Sequence, residues 1–219
     1  MQRSLIPFFG LVAALSLQTE QAFSQTAIEG RVQLPPTAAE LASNQRYQSS
    51  GEVLPTPPEP PAAIVYLNGV CPAKPGTKIR SVEMAQKNLN FIPGLLAVQV
   101  GTAVEFPNLD DTYHNVFSYS KAKRFDLGRY RKDEKPGMVV FDKPGVVNTH
   151  CEVHEKMRGT VLVLETPFFQ KTDSEGRYRL DHLPVGRYIL TAWINDKDVR
   201  TQSVELKENT TLRVDFPSK

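Results

Sequence analysis

The chain has 219 residues, 40% of them hydrophobic and 23% charged, the composition of a globular protein with room for one large domain or two small ones. A formal net charge of only +2 leaves out the basic footprint of a nucleic-acid binder. Seventeen prolines and thirteen glycines, with little helical periodicity, point to strands and turns.

Residues 1–24 read as a secretory signal peptide. Arg3 supplies the positive start, Leu5 to Leu17 the apolar stretch, and Ala22-Phe23-Ser24 the small residues a signal peptidase inspects. The stretch is short for a membrane span, and an uncleaved N-terminal anchor is the alternative. The expectation is an exported protein, periplasmic or secreted, with no membrane span in the mature chain. Ile28 to Leu34 alternates apolar and polar residues and predicts a strand. Residues 35–61 are Pro-rich and read as a long loop. Ala63 to Leu67 predicts a second strand, ended by the Asn68-Gly69 turn.

Short strands with turns between them follow from about Asn88 to Glu165. They are predicted at Leu95 to Val100, Ala103 to Phe106, Val116 to Tyr119, Met138 to Phe141, Val146 to Cys151 and Thr160 to Leu164. Beyond Phe168 come the Asp173–Gly176 turn, a strand at Arg177 to Leu180, the Leu183–Gly186 turn, and a strand at Tyr188 to Trp193. Val204, Leu206, Leu212, Val214 and Phe216 continue the alternation. This spacing predicts an all-β sandwich architecture.

The chemistry is concentrated in His150-Cys151-Glu152-Val153-His154-Glu155-Lys156-Met157. A thiolate, an imidazole and a thioether fall within one tight turn between two apolar strands. Tyr113-His114-Asn115 supplies another imidazole at the edge of an upstream strand. Two histidines and a cysteine with a weak axial methionine form the ligand set of electron-transfer copper. Each residue also has a plainer reading. Cys151 would pair with Cys71 in a disulfide, as secreted cysteines commonly do. Met157 would fill the core. His114 and His154 would be ordinary strand-edge and loop histidines. His150, next to Cys151 on a strand, is expected to point away from copper; the alternative is an electron wire to a second copper, as in copper nitrite reductases.

The stretch HCEVHEKMRGTVLVLE, His150 to Glu165, resembles the ligand loop of amicyanin/plastocyanin-like type 1 blue copper proteins, the cupredoxins. His114-Asn115-Val116 resembles the first-ligand motif of that family. The resemblance covers about Leu89 to Glu165. It implies one type 1 copper ion held by His114, Cys151 and His154, with Met157 as the long axial ligand and Asn115 bracing the loop beside the cysteine. It also implies electron entry at the exposed edge of His154, within an apolar patch to which Pro93, Gly94, Leu95 and Leu96 contribute.

The tail resembles a second family. TDSEGRYRLDHLPVGRYILTAW, Thr172 to Trp193, is similar to the carboxypeptidase regulatory-like, or transthyretin-like, β-sandwich, whose first strands have counterparts at Gly30-Arg31-Val32 and Ala63 to Leu67. The implied fold is all-β: a Greek-key cupredoxin sandwich at 81–165 inserted into a smaller, discontinuous sandwich made of 25–80 and 166–219. The same combination is similar to exported bacterial proteins labelled methylamine utilisation proteins. The functional expectation is an electron carrier, not an enzyme, cycling copper between Cu(I) and Cu(II) and served by redox protein partners. The alternative is a periplasmic copper carrier or chaperone without electron transfer. A copper oxidase would need a second histidine cluster, which the four histidines do not supply.

Overall fold

The computed structural model describes residues 25–37, 59–69 and 81–218. The expected signal peptide, residues 38–58 of the Pro-rich loop, and Cys71 lie outside the described residues. Among the described residues all regular structure is β, and no helix is long and apolar enough to cross a membrane.

In chain order the strands are β1 (Ala27–Arg31), β2 (Ile64–Asn68), β3 (Val82–Glu83), β4 (Ala85–Lys87), β5 (Asn90–Ile92) and β6 (Leu95–Gln99). There follow β7 (Thr102–Phe106), β8 (His114–Tyr119), β9 (Arg124–Tyr130), β10 (Gly137–Phe141), β11 (Gly145–His150) and β12 (Arg158–Leu164). The tail adds β13 (Phe169–Lys171), β14 (Arg177–Leu180), β15 (Gly186–Asn195), β16 (Asp198–Leu206) and β17 (Thr211–Arg213).

Period-two alternation decides which residues meet, because successive side chains leave a strand on opposite faces. One five-stranded sheet runs β6-β12-β11-β8-β9. It shares a core with the three-stranded sheet β10-β7-β3 and the hairpin β4-β5, through Met84, Phe91, Phe106, Val116, Phe141, Val147, Val161 and Val163. A four-stranded sheet, β13-β2-β15-β16, shares a separate core with the sheet β14-β1-β17, through Ile28, Val65, Leu67, Leu180, Leu190 and Phe216. The strands before the middle segment thus pair with strands after it. β1 lies between β14 and β17, and β2 between β13 and β15.

A third apolar cluster joins the two bodies. Ile64 and Trp193 meet Leu162 and Leu164, with Tyr66, Leu95, Ala97, Val146 and Phe169 packed around them. β12 is therefore covered on both faces, which is why Val161 to Leu164 reads as an unbroken apolar run.

Two expectations need correction. β8 begins at His114 rather than Val116, so the histidine belongs to the strand and pairs with Tyr130. β9 was absent from the predicted strands. It lies at the sheet edge, exposes most of its residues, and contains a bulge in which Leu127 and Gly128 together oppose Val116. Gly128 takes φ 69° there, the left-handed conformation such bulges require.

The hairpin β4-β5 is pressed close against β12. A Cβ on Gly159 would lie 2.7 Å from Thr149 Oγ1, 3.1 Å from Phe91 Cβ and 3.3 Å from Met84 Sδ. Gly159→Ala is expected to lower unfolding free energy by about 1–3 kcal/mol through overpacking. Urea denaturation checks this; an unchanged midpoint would mean that the hairpin yields without cost.

Candidate metal centre

His114 opens β8, and β11 ends at His150, so Cys151 begins the connection to β12. The antiparallel pairing of β11 with β12, running to His150 opposite Arg158, forces the residues between them into a tight loop. Three hydrogen bonds shape it. Met157 N donates to His154 O at 2.9 Å, and Cys151 N donates to Met157 O at 3.3 Å. Glu152 N donates to Asn115 Oδ1 at 2.7 Å, tying the loop to the neighbouring strand.

The result brings three donor atoms together. His114 Nδ1 and His154 Nδ1 are 3.0 Å apart, and they lie 3.9 Å and 4.0 Å from Cys151 Sγ. Among the described residues these three side chains form a group able to hold a metal ion. His114 and Cys151 are buried, whereas His154 is half-buried. The rings meet edge to face with centroids 4.7 Å apart. Cys151 is a free thiol, so the disulfide reading does not hold.

His114 Nε2 lies 2.9 Å from Asp110 Oδ2. A carboxylate only accepts, so Nε2 carries a proton, and in the neutral imidazole Nδ1 is the nitrogen left to turn a lone pair toward sulfur and His154. Two nitrogens facing each other at 3.0 Å are satisfied by one shared proton or by one cation. A point about 2.0–2.1 Å from each nitrogen and about 2.3 Å from sulfur, lengths usual for imidazole and thiolate ligands on a first-row ion, lies close to the plane of the three atoms. The donor set therefore fits a single ion in a nearly trigonal arrangement.

The electrostatics favour the thiolate and keep a proton on the imidazole beside it. Burial alone would push the Cys151 thiol up, but hydrogen bonding from His114 and from the Asn115, His154 and Val153 backbone brings it down to about 6. Burial would lower His114, yet its bonds to Cys151 and Asp110 leave it above the ordinary histidine value. Burial opposes ionisation of Asp110 as well, and the Leu89 amide, His114 and the Asn88 amide outweigh it to hold the carboxyl below its usual range.

Met157 is fully buried in the core cluster that contains Cys151. His150 stands beside Phe117, with ring centroids 5.6 Å apart, on the sheet face opposite buried Thr149. Pro93, Gly94, Leu95 and Leu96, expected in an apolar patch, are all half-buried. Leu96 packs against the core around Cys151, and Leu95 against the Trp193 cluster, because strand pairing with β12 turns them to its two covered faces. Exposed apolar side chains in the loops bearing the site are instead Leu109, Tyr113 and Val153. The sequence reading does not single out Asp110; its one signal is its place four residues before His114.

No protein-family model matches the sequence, and no curated protein does. Solved structures similar to part of the chain are cupredoxins and a copper enzyme. A Cu-containing nitrite reductase from Thermus scotoductus SA-01 is 24% identical over 44% of this chain and 26% of its own, with a TM-score of 0.37. This chain thus spans about a quarter of that enzyme's length. A purple cupredoxin from Nitrosopumilus maritimus is 24% identical over 39% of this chain and 99% of its own, with a TM-score of 0.34. A Cu(I) amicyanin variant is 22% identical over 38% of this chain and 82% of its own, with a TM-score of 0.36.

A metal ion must displace whatever proton the thiol carries. The Cys151 thiol is held down to about 6, and His114, raised above the ordinary histidine value, carries a proton that the ion must displace as well. Metal affinity is expected to fall at least about tenfold for each pH unit below about 6. Competition titrations against a chelator across this range check it, and a flat profile would mean that no ligand releases a proton on binding.

Proposed function

We propose that the chain is a copper-binding one-electron carrier of the cupredoxin kind, with one type 1 ion held by His114, Cys151, His154 and, axially, Met157. The observation that carries this reading is the convergence of a buried thiolate and two imidazole Nδ1 atoms on one ion-sized space. Copper there would alternate between Cu(I) and Cu(II), exchanging one electron with a partner.

The chain's own residues do the remaining work. The Cys151 thiolate and Met157 thioether favour the softer oxidation state, and the imidazoles suit the harder one. A cage that cannot relax toward either preference keeps reorganisation small. Asn115 holds the loop against β8 through the Glu152 amide. Burial of His114, Cys151 and Met157 keeps water from the ligands, and the half-buried ring of His154 is the entry point for electrons.

The architecture we propose is a cupredoxin unit, 81–165, inserted into a carboxypeptidase regulatory-like sandwich of 25–80 and 166–219. Support comes from the ladders of β1 with β14 and of β2 with β15, and from the separate cores of the two bodies. The proposed setting is extracytoplasmic, periplasmic or secreted, with the signal peptide at 1–24 removed, and the partners are redox proteins.

The copper-loaded protein is expected to show an intense visible charge-transfer band and reversible one-electron reduction. Cys151→Ser should abolish both, because the thiolate is the source of the band; a variant that kept them would refute the ligand assignment. A colourless protein that binds Cu(I) and exchanges it readily would indicate a copper carrier without redox function.

Met157→Gln should retain copper and colour while shifting the reduction potential downward, since an oxygen donor stabilises Cu(II) more than a thioether does. Voltammetry gives the answer, and an unchanged potential would leave Met157 as a core residue only.

A further inference from the structure

The turn joining β4 to β5 has an unusual backbone. Asn88 and Leu89 both take left-handed conformations, with φ of 53° and 59°. Asparagine tolerates this region, but a bulky leucine seldom enters it. Both central residues of a two-residue hairpin turn of the I′ type lie there, and in this turn both of their amides face an anion. The anion is a side chain. Asn88 N donates to Asp110 Oδ1 at 2.7 Å, and Leu89 N to Asp110 Oδ2 at 3.0 Å.

Asp110 is itself fixed from below. Its amide donates to Asn108 Oδ1 at 2.9 Å, and the buried Asn108 amide group donates to Thr112 O and Tyr130 O, each at 2.9 Å. Leu109 N and Gln86 N complete the seam by donating to Gln86 O and Pro107 O, each at 2.8 Å. The carboxylate therefore cannot swing, and its remaining accepting capacity is directed at His114 Nε2, 2.9 Å away. Among the described residues His114 is the ion-pair partner Asp110 has.

We infer that Asp110 is a positioning residue: held by the Asn88 and Leu89 amides, it locks the neutral His114 ring in the Nε2–H tautomer, frees Nδ1 for the metal, and sets a fixed negative charge behind that ligand. The inference rests on the copper reading above. A carboxylate behind a ligating imidazole raises the basicity of the ligand and fixes its ring. A negative charge favours the higher oxidation state, so Asp110 holds the reduction potential down.

Two variants separate the two effects. Asp110→Asn keeps an acceptor for Nε2–H and removes the charge; Asp110→Ala removes both. In the metal-free protein, nitrogen-15 correlation spectra of the histidine rings should show the His114 Nε2–H tautomer in wild type and Asp110→Asn, and a tautomer mixture in Asp110→Ala. On titration with Cu(II), affinity should fall about 10–100-fold in Asp110→Ala and much less in Asp110→Asn. The reduction potential should shift upward in both. Wild-type tautomer, affinity and potential in Asp110→Ala would overturn the inference. Should that variant not fold, an unshifted potential in Asp110→Asn does so. A wild-type protein that takes up no copper would defeat the copper reading, and the ring spectra of the metal-free variants would still decide whether Asp110 sets the tautomer.

Discussion

The constraint on which this structure turns is the close approach of three electron-rich atoms. Two imidazole nitrogens at 3.0 Å and a thiolate about 4 Å from each have no mutual attraction unless something positive sits among them. Left to itself such a set would open into water. Here it is held by strand pairing on one side and by a closed loop on the other. His114 is fixed within the ladder of β8 with β9, and Cys151 and Met157 sit at the two ends of a loop whose backbone bonds to itself. The burial that makes the arrangement costly also strengthens any charge placed within it, because a low local dielectric weakens screening.

That constraint explains the polar groups beneath the site. A buried imidazole must account for both ring nitrogens, and Asp110 accounts for the one facing away. The carboxylate must then be satisfied in turn, which the Asn88 and Leu89 amides do. Asn108 supports Asp110, and the Tyr130 hydroxyl donates to Phe106 O at 2.6 Å while accepting from Gln86 Nε2 at 2.7 Å. Burial lifts the Tyr130 phenol well above its ordinary value, so it stays a neutral donor. Gln86 Oε1 is buried without a partner in this chain of bonds; the links that are made favour one arrangement, since breaking any of them strands a further buried group.

How much of this was legible in the sequence depends on distance along the chain. Cys151 and His154, which the structure brings together with His114, were legible because they share one short segment whose ligand types are unusual together. The strands with clean alternation, such as Ala103 to Phe106 and Tyr188 to Trp193, were legible for the same local reason. His114 was reached through a family resemblance, because nothing local distinguishes it from an ordinary strand-edge histidine. Asp110 was out of reach: its role depends on a turn twenty-odd residues upstream that only the folded chain brings beneath it. β9 escaped notice because an exposed, bulged edge strand loses the period that marks a strand.

The same limit applies to the run Val161 to Leu164. Its unbroken apolar character implies cover on both faces, but not what provides the cover. Val161 and Val163 pack in the core that includes Cys151, while Leu162 and Leu164 pack against Ile64 and Trp193 of the other body. Each such leucine contributes about 1.5–3 kcal/mol when fully buried. β12 leads directly out of the ligand loop, so displacing it would move Met157 and the chain that carries Cys151 and His154. Among the described residues the second body adds no side chain to the group of His114, Cys151 and His154. Its contribution is mechanical: by covering the outer face of β12 it removes from water the strand on which the loop is anchored, and so stiffens the support that a weakly self-attracting donor set requires.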